Sequence, residues 1–228
     1  MTETALKICG LQSVEVLKSM MHLNIDYIGF IFAESRRRIS PERAVELIQV
    51  LGEWETSRRP RSVGVFVNPD IDQLQKVMNE APLDVIQLHG QESPAFCSTV
   101  KERFGKMVFK ALPVLGGANE AATSAERLDP YGGYVDSFLL DTYDPHYGGG
   151  SGRTFAWEAI PAYHERARVH GIPLFIAGGL TPDNVAGLIS AYGPEGLDVS
   201  SGVETDGVKD IAKITAFVER VKRHDTTA

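Results

Sequence analysis

The chain has 228 residues, 43% hydrophobic and 23% charged, with 22 glycines, 12 prolines, two cysteines and a formal net charge of -7. That length buries a sizeable core, as one α/β barrel or one to two smaller domains, and the composition excludes disordered, collagenous and disulfide-stapled classes. The negative balance argues against nucleic-acid binding, and no apolar run approaches the roughly 20 residues of a membrane helix. Cys9 and Cys97 lie far apart without paired or metal-ligand spacing, so both are expected as free thiols, with no structural metal, in a reducing cytoplasm. The N-terminal residues show no apolar stretch behind positive charges, consistent with that compartment. The basic segment ETSRRPRS (55–62) sits beside a proline and ahead of a strand pattern, and reads as a solvated loop.

In chain order, the strand-like runs are ALKICG, DYIGFIF, SVGVFV, DVIQLHG, MVFKALPV, SFLLDT, PLFIAGG and LDVSSG, each followed by a segment able to be helical. Eight such βα units predict a single-domain (β/α)8 TIM barrel across residues 1–228. The count of eight, and the lack of a G-x-G-x-x-G turn after the first run, disfavour an open doubly wound sheet. Helix starts are marked by SPERAVELI, with a serine cap, an early proline and a glutamate, and by TPDNVAGLI, where a threonine cap is predicted.

In such barrels the chemistry sits where the strands end. Those ends read Cys9-Gly10, Phe32, Asn68, His89-Gly90, Val114, Asp141-Thr142, Gly178-Gly179 and Ser200-Ser201-Gly202. Barrel stability requires no thiol, histidine, carboxylate and pair of glycine-rich turns at one rim, so these positions point to a site. The loops AGGL and SSGVE, after strands 7 and 8, can present backbone N–H groups to a phosphate. The candidate shell is Gly178, Gly179, Ser200, Ser201 and Gly202, with a short helix expected after Gly202. Alternation puts Lys7 and Cys9 on one face and Asp198 and Ser200 on another of the same parity. Lys7 is then either an inward lysine paired with Asp198 or an exposed residue at the barrel bottom. Cys97, within PAFCSTV, has no rim position and is expected to be inert.

The motifs KICG, VGVFVN, QLHG, LLDT, GGGSGRTFAW, AGGL with the later NV, and DVSSGVE with GVKD resemble, in this order, those of phosphoribosylanthranilate isomerase of tryptophan biosynthesis. The resemblance runs from residue 7 to about residue 217. It implies a cofactor-free isomerase whose one small phosphorylated substrate undergoes an Amadori rearrangement. N-(5-phosphoribosyl)anthranilate, an aminoaldose, becomes 1-(2-carboxyphenylamino)-1-deoxyribulose 5-phosphate. That reaction needs a general acid at the ring oxygen and a general base at the second sugar carbon. The resemblance implies Cys9 as base and Asp141 as acid, on strands whose ends face one mouth. A base working near neutrality needs its thiolate favoured by nearby positive charge or backbone donors.

The family carries an arginine for the substrate carboxylate in the loop that here reads FAESRRRIS. Its spacing picks Arg37, with Arg36 and Arg38 as alternatives. His89 shares the parity of Gln87 and is expected either to line the pocket or to serve as a structural histidine at the rim. GGGSGRTFAW is a candidate lid, with one glycine more than the family pattern. Three other readings compete. A histidine-pathway isomerase should carry an aspartate in place of Cys9, a noncatalytic phosphosugar-binding barrel would not keep both Cys9 and Asp141, and a thiol hydrolase lacks a visible His-Asp arrangement. Monomer and homodimer are both compatible with the sequence.

Overall fold

Runs rich in Val, Ile, Leu and Phe become eight strands because every face is covered, one by the barrel interior and the other by helices. They are β1 (Ala5–Cys9), β2 (Tyr27–Ile31), β3 (Arg61–Phe66), β4 (Val85–Leu88), β5 (Met107–Val114), β6 (Ser137–Thr142), β7 (Leu174–Ile176) and β8 (Gly196–Val199). All neighbours are parallel, and β8 pairs with β1 to close the barrel. The structure, a computed structural model, describes residues 3–114, 120–142 and 156–227. The helices α1 (Val14–Ser19), α2 (Pro41–Leu51), α3 (Ile71–Glu80), α4 (Pro94–Phe104), α5 (Ala121–Ala125), α6 (Ile160–Val169), α7 (Val185–Tyr192) and α8 (Ile211–Thr227) separate successive strands and follow the last. No helix among the described residues is long and apolar enough to cross a membrane.

Period-two alternation divides each strand between two cores. Val63, Val85, Phe109, Ala111, Leu139, Phe175 and Ala177 fill the barrel interior. The ring of Phe109 packs edge-on against Tyr27, 5.3 Å between centroids, and lies 5.4 Å from Phe175. The intervening residues, among them Leu6, Ile8, Ile28, Phe30, Ile86, Leu88, Phe138, Leu140, Leu197 and Val199, face the helices in a larger second cluster.

Local chemistry starts the helices. Ser40 caps α2 by accepting the N–H of Arg43, with Pro41 in the first turn. The threonine cap predicted for α7 is not what forms: the helix begins at Val185 with Asn184 at its cap position. Asn184 instead accepts the N–H of Thr181 at 2.8 Å and donates to the carbonyl of Gly179 at 2.9 Å. With its oxygen accepting and its nitrogen donating, the amide ties the loop on both sides.

A buried ion pair outside the barrel wall braces two rim loops against β5. Lys110, fully buried on β5, donates to Glu92 Oε2 at 2.9 Å and to the carbonyls of Gly90 and Ala111 at 2.8 and 2.9 Å. Glu92 also accepts the N–H groups of Asn68 at 2.8 Å and Gly90 at 2.9 Å. The loops after β3 and β4, the second of which carries His89, are thereby held to β5. Because one lost partner leaves a buried charge uncompensated, Glu92→Leu should cost about 3–5 kcal/mol, and Glu92→Leu/Lys110→Met should recover most of it. Urea unfolding of the three proteins measures both; equal destabilisation of the single and double variants would show that the charge pairing is not what holds these loops.

Candidate active site

The inward residues of β1 begin the site. Lys7 lies in direct register with Asp198 of β8, and its ammonium contacts both carboxylate oxygens at 3.0 and 2.9 Å with no exposure of the lysine. Of the two sequence readings for Lys7, the inward ion pair is the one that forms. Cys9, two residues on along the same face, is also buried, and the Lys7 charge acts on its thiol. Space for both comes from Gly29 on β2, opposite Cys9 in the register. A Cβ there would stand 2.7 Å from Cys9 Sγ and 3.1 Å from Lys7 Nζ.

Burial pushes the Cys9 thiol up, opposed chiefly by the Lys7 charge, while Asp198 adds to the rise. The sequence-level requirement for a nearby positive charge is met, yet burial outweighs it and the resting thiol lies above its ordinary value. Burial alone would lower Lys7, but Asp198 and Cys9 together hold its proton more firmly than usual. Cys97, in α4, is buried away from the mouth, and burial pushes it up to about 11, in keeping with the inert role expected of it.

Across the mouth stands Asp141, buried near the end of β6. It accepts the N–H of Thr142 at 2.7 Å, and His89 Nε2 lies 3.2 Å from its other oxygen. His89 Nδ1 in turn lies 2.9 Å from Gln87 Nε2. His89 therefore lines the pocket and touches Asp141.

The loops after β2 and β8 meet at Glu204. Arg37 places Nε and Nη2 on its two oxygens at 2.6 and 2.9 Å, Arg36 donates at 2.7 Å, and Lys209 at 2.8 Å. Burial opposes the Glu204 charge, but hydrogen bonds from Arg37 and Lys209 overcome it and hold the carboxyl below the usual range. The three arginines separate: Arg37 is buried and lines the pocket, Arg36 is mostly exposed, and Arg38 lines a neighbouring groove. Lys209 reaches Glu204 because strands β9 (Glu204–Thr205) and β10 (Val208–Lys209) form a hairpin. Its turn residues, Asp206 and Gly207, take left-handed conformations at φ 51° and 81°.

The short helix expected after Gly202 is a single 3-10 turn, Ser201–Val203, because the chain turns at once into this hairpin. The candidate phosphate loops nonetheless pack on each other: a side chain at Gly202 would collide with the carbonyl oxygen of Leu180. Gly178, Gly179, Ser200, Ser201 and Gly202 all line the cavity that contains Cys9, Arg37, His89 and Asp141. Sequence reasoning assigned no role to Gln87, Glu204 or Lys209. Gln87 was findable from its parity with His89, whereas the Glu204 knot depends on two loops 167 residues apart. The candidate lid lies outside the described residues except at Ala156 and Trp157. No group of three or more metal-ligating side chains occurs among the described residues.

A family model described as N-(5'phosphoribosyl)anthranilate (PRA) isomerase matches residues 6–220. The N-(5'-phosphoribosyl)anthranilate isomerase of Brevibacillus brevis is 47% identical over 97% of this chain and 95% of its own. The chain superposes on the phosphoribosylanthranilate isomerase of Thermotoga maritima with a TM-score of 0.78 at 33% identity, over 96% of this chain and 99% of the other. A second solved isomerase holds reduced 1-(o-carboxyphenylamino)-1-deoxyribulose 5-phosphate. It matches with a TM-score of 0.73 at 30% identity, over 96% of this chain and 99% of its own.

Lys7 is the largest influence opposing the rise of Cys9, and removing it together with Asp198 leaves no charge of the pair stranded. In Lys7→Met/Asp198→Leu the thiolate should form at higher pH, lowering the site-resolved alkylation rate of Cys9 at neutral pH roughly tenfold for each unit gained. An unchanged rate would mean that the ammonium does not govern the thiol.

Proposed function

The chain belongs to the N-(5'-phosphoribosyl)anthranilate isomerase family of tryptophan biosynthesis, and on that premise we propose that Cys9 and Asp141 divide the base and acid work of the rearrangement. The observation that carries this reading is their placement. The only rim thiol and the only strand-end carboxylate of the sequence-predicted set are buried around one cavity, among backbone turns suited to an anion.

In this mechanism the Asp141 carboxyl gives its proton to the furanose ring oxygen as the bond from the anomeric carbon breaks, leaving a protonated Schiff base. The Cys9 thiolate then removes the proton from the second sugar carbon, and the electron pair moves to form the enolamine. Tautomerisation of the enolamine yields the aminoketose, so atoms balance without a redox partner. Lys7 supports the charged form of Cys9 from one layer below. Asp141 accepts the Thr142 N–H on one oxygen, and the His89 imidazole lies beside the other.

The phosphate is assigned to Gly178, Gly179, Ser200, Ser201 and Gly202, whose turns line the cavity. Arg37 is assigned to the anthranilate carboxylate. Glu204 holds its Nε and Nη2 edge, which orients the guanidinium on the wall of the cavity. His89 is assigned to lining the pocket beside the acid.

Cys9→Ser and Asp141→Asn should each lower turnover by about 10²–10⁴-fold while product binding persists, as expected when one proton-transfer group is lost. Loss of the substrate's anthranilate fluorescence follows turnover. For the wild type, kcat/KM should rise with pH until Cys9 ionises, because the thiolate is the active form and burial raises its titration. Retention of full activity in either variant would end its assigned role.

A further inference from the structure

Gln87 sits on the interior face of β4, fully buried, on the wall of the cavity that holds Cys9 and Asp141. Its amide nitrogen lies 2.9 Å from His89 Nδ1. A primary amide nitrogen donates and does not accept, so Nδ1 is the acceptor and the imidazole proton is on Nε2, facing Asp141 3.2 Å away. The other end of the amide is unspent: Gln87 Oε1 is buried with no hydrogen-bond partner among the described residues. An acceptor left unmet in a closed environment is costly, and at the wall of a binding cavity a ligand donor removes that cost.

We propose that Gln87 is a specificity-determining residue whose amide oxygen receives a hydroxyl of the bound sugar while its amide nitrogen fixes the tautomer of His89. The inference rests on the phosphosugar substrate assigned above, but not on the acid and base roles. Among the donors such a substrate carries, the anilino N–H is adjacent to its own ortho carboxylate and can close an internal hydrogen bond to it. The sugar hydroxyls have no such partner, and they flank the carbon whose proton Cys9 is assigned to remove. A site built to accept from a hydroxyl rejects an analogue that lacks it, which makes this contact a selector for a sugar carrying that hydroxyl.

The test uses the reduced product, the ligand held by the related isomerase, together with versions lacking one sugar hydroxyl each. Wild-type protein should lose about 10–100-fold in affinity for one of the deoxy compounds, the range of one unmatched buried hydrogen bond. Gln87→Met should bind the parent compound more weakly by a similar factor and no longer distinguish that deoxy compound from it. Nitrogen-15 spectra of His89 in the ligand-free wild type should show the proton on Nε2; this and the wild-type affinities stand whatever the variant's stability. Equal wild-type affinity for the parent and every deoxy compound would overturn the proposal, as would a proton on Nδ1, which turns the amide nitrogen toward the cavity. Failure of the wild type to bind the reduced product at all would overturn the substrate reading and this proposal with it. Loss of the acid and base roles alone would change none of these affinities.

Discussion

The ion pair between Lys7 and Asp198 is the contact that ties the barrel seam to the surroundings of Cys9. It joins the first strand to the last inside the barrel, at neighbouring positions in the register, with the lysine wholly out of water. Two buried charges are costly to desolvate and return little net stability, so their value lies in specifying the arrangement. The pairing is satisfied only when β1 and β8 meet with Lys7 opposite Asp198, and it then leaves the ammonium beneath Cys9. The same interaction that defines the seam therefore supplies the charge that opposes burial of the thiol.

Around that axis the rim is organised by two further carboxylates, Glu92 and Glu204. Glu92 gathers backbone donors of the loops after β3 and β4 onto Lys110, steadying the peptide that follows His89. Glu204 gathers Arg36, Arg37 and Lys209, joining the loop after β2 to the hairpin after β8. Each acts as a geometric clamp, since a carboxylate with several donors on it can be satisfied in only one relative placement of the loops. The guanidinium of Arg37, left in isolation, is a long side chain with several rotamers. Locked to Glu204, it is preorganised toward the cavity.

Cys9 shows how environment sets a role that residue type does not. A cysteine at a strand end is compatible with a base, but its protonation is decided by burial on one side and Lys7 on the other. Gln87, His89 and Asp141 form a similar chain. The amide fixes the imidazole tautomer, and the imidazole presents a donor to the carboxylate.

Much of this was legible in the chain itself. Eight apolar runs, alternating residues and polar strand ends are local patterns, and local patterns suffice for element type, for the barrel and for the rim positions of Cys9, His89, Asp141 and the glycine turns. Parity even made the Lys7–Asp198 pair available as one of two readings, because parallel strands carry inward residues at a fixed period. What the chain could not settle was anything that needs two distant loops to be placed together. The burial of Arg37 while Arg36 stays exposed, the bond of Glu204 to it, and the shortening of the expected helix after Gly202 to one 3-10 turn before a hairpin are such cases. So is the start of α7 at Val185, preceded by Asn184, whose amide serves a loop rather than obeying a capping preference. Sequence determines which side chains face inward, since that follows from backbone period. Tertiary structure alone decides which of them touch and how firmly each holds its proton, because hydrogen bonds and desolvation depend on distances across the closed barrel.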